Sequence, residues 1–229
     1  MSAFLLKGKR IARFAAGILS VVITAFAFLY AGILNRAQIV DTGKNFYFLV
    51  SDFEHVEVGA QVAQLQGGAG YALTCAGDEY AAYAVYFSES ESEAARVSVA
   101  QTGERAKTVA LHSNPIYLKS TKQKQNAALI TGAFESLYGC MQVLNNETKR
   151  LERGATQESS KRILQTLSRQ FSFLGKEYAE RVTGYESVCK NAEELLLEMI
   201  SDVVYSKDLR YLLCKLSVDY TDLSKNFSL

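Results

Sequence analysis

Residues 44–51 read KNFYFLVS and residues 79–87 read EYAAYAVYF, and these two stretches decide the fold. The first is short, aromatic and β-branched, and it ends at the polar pair Ser51-Asp52, which is the signature of a strand. Working outward, Asp52–Gln66 sets Val58, Val62 and Leu65 at helical spacing behind Asp52, a residue suited to an N-cap. Gly67-Gly68-Ala69-Gly70 stops that helix and feeds a second strand, Tyr71–Ala76. Gly77-Asp78 is a tight turn into the third strand, Glu79–Phe87, so strands two and three form a hairpin. Ser88–Gln101 opens with a Ser/Glu-rich turn that suits the positive end of a helix, and Gly103 ends it. Lys107–His112 is a fourth strand. The predicted order is β-α-β-β-α-β. Phe46–Val62 and Tyr80–Val97 are faintly alike: each is a strand that turns after an aromatic, Phe53 or Phe87, into an acidic helix start. Two such halves lay their helices on one face of a four-stranded sheet and leave the other open.

Before this unit lies a different chemistry. Residues 14–34, FAAGILSVVITAFAFLYAGIL, run 21 positions without a charge, enough helix to span the roughly 30 Å hydrocarbon core. Lys7, Lys9, Arg10 and Arg13 precede the span, and only Arg36 and Asp41 follow it closely. Lys and Arg gather on the cytoplasmic side, so residues 1–13 form a cytoplasmic tail and the rest lies outside. Ala25-Phe26-Ala27 fits a signal-peptide cleavage pattern, but apolar residues continue past it to Leu34, which favours an anchor.

After residue 120 the apolar spacing changes from two to three-and-four. Ile130, Phe134, Leu137, Met141, Leu144 and Leu151 form one stripe. A second runs from Leu167 to Val203, and a third from Leu209 to Phe227. This is coiled-coil-like packing. Turns at Gly154-Ala155-Thr156 and Ser206-Lys207-Asp208 divide residues 121–229 into three antiparallel helices, or four if Gly175 or Gly184 breaks the long middle one. The expected fold class is therefore α+β: a transmembrane helix, a four-stranded sheet domain over residues 44–120 with ferredoxin-like topology, and an antiparallel helical bundle.

The net charge of +1 conceals a gradient: +4 over residues 1–41, −4 over residues 42–120 and +1 thereafter. Such a balance argues against nucleic-acid binding through bulk electrostatics. The chain has two His, His55 and His112, and no CxxC, which excludes the usual zinc signatures. Cys75, Cys140, Cys189 and Cys214 sit in apolar periodic stretches and read as buried thiols. The GGAG stretch follows a helix rather than leading into one, so it is no phosphate cradle. No nucleophile–base pattern stands out. The chain reads as a non-enzyme without metal or cofactor.

The strand FYFLVSDF, the helix ending at Leu65 before glycines, and the second unit YAVYFSESESEAA together resemble the SPOR domain, the sporulation-related repeat of bacterial envelope proteins. The likeness covers about a third of the chain. It implies a single-pass membrane protein whose outer domain binds peptidoglycan glycan strands and acts in cell division or sporulation. Strand alternation puts Phe46, Phe48 and Val50 on one side. If the helices cover that side, the open face offers Tyr47, Leu49, Ser51, Tyr83 and Val85 as a glycan-binding surface, with tyrosine rings for sugars to stack on. Leu49 and Val85 are also apolar enough for this face to pack on the helical segment. In that case the sheet is only a scaffold, and the bundle binds another envelope protein.

The uncharged span and its basic flank predict an orientation. Single cysteines placed after Asp41, in a background lacking the native four, should react with a membrane-impermeant maleimide in intact cells. Protection of all such positions would overturn the N-inside arrangement.

Overall fold

The computed structural model describes residues 38–51, 55–101 and 105–227. The expected membrane span, and the roles suggested for Asp52, Phe53 and Gly103, lie outside the described residues. The strands are β1 (Gln38–Val40), β2 (Asn45–Ser51), β3 (Tyr71–Cys75), β4 (Asp78–Tyr86), β5 (Lys107–His112) and β6 (Ile116–Leu118). The helices are α1 (Val56–Leu65), α2 (Glu89–Gln101), α3 (Thr121–Gln125), α4 (Ala127–Glu152), α5 (Gln157–Tyr178), α6 (Tyr185–Ser201) and α7 (Ser206–Lys225). The class is α+β with two antiparallel sheets.

Within the main sheet the order is β3-β4-β2-β5, every neighbour antiparallel. The β3–β4 hairpin turns through Ala76 and Gly77, one position earlier than expected, with φ of +54° and +91°. Two positive φ values in succession give a turn whose twist matches the strands it joins. In β2, Phe48 stands opposite Val85 on one side and Val109 on the other. The β2–β4 register then slips: Leu49 faces Ala84 while Val50 faces Ala82, leaving Tyr83 as the extra residue of a bulge. The short strands β1 and β6 pair separately, and the Tyr117 N–H donates to the Phe227 carbonyl at 3.1 Å, joining that ribbon to the chain's last helix.

Four long helices build the bundle, because Gly184, with φ of +85°, breaks the middle segment into α5 and α6. The heptad stripes point inward as their spacing dictates. Ile130, Phe134, Leu137, Met141 and Leu144 of α4, and Leu209, Leu213, Leu216 and Tyr220 of α7, are all buried. Among the described residues, α4 is the helix long and apolar enough to cross a membrane by length and composition. It instead packs against α5 and α7, and its apolar stripe forms the middle of the bundle core.

The faces of the sheet are used in the reverse of the expected way. Phe46, Phe48, Val50 and Val85 pack into one continuous core with Phe134, Leu213 and Tyr220 of the bundle. Helices α1 and α2 cover the other face, where Leu49, Ala63 and Tyr83 cluster with Ala95 and Val99. Side-chain size explains the reversal. The buried residues of α1 are Gly59 and Ala63, and that of α2 is Ser92, too small to enclose two phenylalanines. The bundle supplies rings of matching size. Close approach through Gly59 and Ala63 also turns α1 over, so Val58 is 53% and Leu65 88% exposed, although their spacing suggests a buried stripe.

Because sheet and bundle share a core, a charge in the bundle seam should unfold both. Leu137→Asp or Leu216→Asp in the full chain should cost several kcal/mol by burying an unpaired carboxylate. Thermal melts followed by circular dichroism would show it. An unchanged melting temperature in both variants would contradict this packing.

Candidate functional site

The surface expected to meet a ligand is formed by β2 and β4, and the structure places its five residues unevenly. Tyr47, Leu49 and Ser51 alternate onto the face that α1 and α2 cover, and Tyr83 joins them there through the bulge. Val85 stands opposite Phe48 and faces the bundle. Leu49, Ser51 and Val85 are buried, and Tyr83 is 8% exposed; only Tyr47 is partly accessible. No open sheet face remains for them to share. The physical reason is that both faces are apolar and each has found helices to cover it.

Tyr83 shows how complete the covering is. A Cβ built on Gly68 would fall 2.7 Å from the Tyr83 ring Cδ1 and 3.0 Å from the Ala63 carbonyl oxygen, so the glycine lies directly against the ring. At the other end the Tyr83 hydroxyl donates to Gln66 Oε1 at 2.9 Å. Ring and hydroxyl are both engaged within the fold. The Ser51 hydroxyl is buried without a hydrogen-bond partner among the described residues.

Beside Tyr83 the small side chains of Ala84 and Ala95 leave a cleft of about 490 Å³ between the sheet and α2, with Tyr86 and Arg210 also in its wall. Arg210 belongs to α7. Its Nε and Nη2 donate to Glu152 Oε1 at 3.1 and 2.8 Å, and its Nη1 donates to the Gly67 carbonyl at 2.9 Å. One guanidinium thus ties α7 to the end of α4 and to the glycine loop that precedes β3. Burial raises the Tyr86 phenol above its ordinary range, partly opposed by the adjacent Arg210 charge, so the hydroxyl stays protonated at neutral pH. Tyr86, Arg210 and Gln66 were not legible as site residues. Arg210 falls between the α7 stripe positions Leu209 and Leu213, and nothing local marks a long-range partner.

No metal-binding group of three or more His, Cys, Asp or Glu occurs among the described residues. All four cysteines are free thiols; burial pushes Cys140 and Cys189 up to about 12, far from a reactive thiolate. No family model, curated protein or solved structure matches the chain.

The contact between Gly68 and Tyr83 gives a direct test of the covering. Gly68→Ala should force the ring or α1 to shift and destabilise the protein by about 1–3 kcal/mol, the usual cost of overpacking. A urea melt measures it. A variant as stable as the wild type would mean that the ring is free to move aside.

Proposed function

We propose that this chain is a membrane-anchored bacterial envelope protein that works as an interaction scaffold: its SPOR-like sheet is a framework, and its helical bundle binds another envelope protein. The observation that carries the reading is that both faces of the main sheet are covered, one by α1 and α2 and the other by the bundle. The strand order β3-β4-β2-β5 is the ferredoxin-like one that the SPOR likeness implies, which supports a shared framework. A glycan-stacking surface needs ring faces open to solvent, and Tyr83 has none to spare.

A second reading rests on the cleft. A sugar end could be held there by the Tyr86 hydroxyl and the Arg210 guanidinium rather than on an open sheet, and the protein would still bind peptidoglycan glycan strands in division or sporulation.

One experiment separates the two. The full chain in detergent is sedimented with peptidoglycan, intact or stripped of stem peptides by amidase, and melting temperatures are taken for wild type, Tyr83→Ala and Tyr86→Phe. The scaffold reading expects no wild-type pelleting with either preparation and a clear fall in the melting temperature of Tyr83→Ala, about 3 kcal/mol or more for a buried aromatic. Wild-type pelleting that Tyr86→Phe abolishes, with its melting temperature unchanged, would overturn the scaffold reading in favour of the cleft.

A further inference from the structure

Away from the sheet, the end of α6 and the start of α7 enclose a groove of about 340 Å³. Its apolar part comes from Leu195 and Met199 of α6, Tyr211 of α7 and the linker residue Val203, which is 44% exposed. The charged residues in its wall are all acidic, Glu198, Asp202 and Asp208, beside Gln64 and Tyr205; Lys207 lies outside the wall, its Nζ 5.6 Å from the Tyr205 ring. None of these three carboxylates has an ion-pair partner among the described residues, whereas Glu152 at the end of α4 pairs with Arg210 of α7. Burial raises the Asp208 carboxyl, with nearby Lys207 pulling the other way. The last turn of α6 also carries no basic residue, so its carbonyl end adds partial negative charge to the same place. An apolar groove with this rim fits a helix face that carries cations around a large apolar side chain.

This chain displays such a face. On α5, Arg162, Arg169, Phe173 and Lys176 recur at steps of seven, four and three, which puts them on one side of the helix. All four are exposed, Phe173 by 63%, the largest exposure of any phenylalanine among the described residues. Arg162 pairs with Glu158 on its own helix, while Arg169 and Lys176, which flank Phe173, have no ion-pair partner among the described residues.

We propose that the α6–α7 groove receives the α5 face of a second copy of this chain, with Phe173 in the apolar floor and Arg169 and Lys176 against the acidic rim. The proposal deepens the scaffold reading above by naming a partner for the bundle. Groove and α5 face are different surfaces, so the contact is head-to-tail: a dimer keeps one free α5 face on one copy and one free groove on the other, and association can extend beyond two. Unlike charges at the rim make it weaken as salt rises.

The test is sedimentation of the full chain in density-matched detergent at micromolar concentration, in low and high salt. The wild type should form dimers and larger species that dissociate in high salt. Two doubly substituted chains, Glu198→Lys with Asp202→Lys and Arg169→Glu with Lys176→Glu, change only exposed side chains and should keep the wild-type melting temperature. Each alone should be monomeric, and mixing them should restore association, since the unaltered groove of one meets the unaltered α5 face of the other and the two charge-reversed surfaces also complement each other. Phe173→Ala should weaken association about tenfold. A wild type that stays monomeric in low salt overturns the contact, as does self-association that neither double variant reduces. A monomer that instead binds a synthetic cationic amphipathic peptide overturns the second copy as occupant. Peptidoglycan pelleting run on the same samples reports separately on the scaffold reading, which can fail or stand independently of this contact.

Discussion

The join between sheet and bundle centres on the tyrosine at position 220. Its ring meets Phe134 at 5.2 Å and Phe46 at 5.6 Å, both edge-on, and Tyr138 at 6.3 Å. Its hydroxyl donates to the Thr42 carbonyl at 2.7 Å, in the segment that leads from β1 to β2. One side chain of the last helix therefore joins the sheet, the central bundle helix and the entry to the main sheet. Edge-on aromatic pairs contribute on the order of 0.5–1.5 kcal/mol each beyond their buried area. The geometry also explains why sheet and bundle are not separable: removing the bundle would expose Phe46 and Phe48, both fully buried.

That dependence has consequences for what the sheet can do. A sheet with one face on helices and the other in solvent can present side chains to a ligand; a sheet covered twice cannot. Here the second cover comes from α4 and from α7, the latter more than a hundred positions from β2 and β4 in sequence, and Arg210 adds a polar tie, reaching from α7 to the Gly67 carbonyl. The accessible side chains are therefore those on the outer surfaces of the helices and their linkers. Leu65 and Phe173 are exposed apolar side chains of helices, and Val203 is one of the α6–α7 linker.

Buried polar groups in the bundle obey the same economy. Glu147 is 2% exposed, yet one of its oxygens accepts from the Ser160 hydroxyl and the other from Arg150, both at 2.6 Å. A carboxylate in that position without both partners would destabilise the α4–α5 junction strongly, so the pairing fixes how the two helices meet. Gln157 does similar work at the start of α5, accepting from the Val204 N–H and donating to the Val204 carbonyl, both at 2.9 Å.

Much of this was written locally. Period-two aromatic runs gave β2 and β4, and glycine pairs marked the loops. The three-and-four spacing of Leu209, Leu213, Leu216 and Tyr220 fixed which side of α7 is buried, because helical periodicity is a property of the chain alone. The five candidate residues Tyr47, Leu49, Ser51, Tyr83 and Val85 could be placed on strands in the same way. Their environment could not. Alternation says which residues share a face but not which helices will cover it, and Tyr83 and Val85 lie on opposite sides because Tyr83 is the extra residue of a bulge. The sequence likewise set the spacing of Val58 and Leu65 on α1, while the tertiary structure decided that Gly59 and Ala63 should face inward. Sequence determines periodicity, since that follows from bond geometry. The choice of partner depends on the volumes and charges of surfaces brought together from distant parts of the chain, and only the assembled structure compares them.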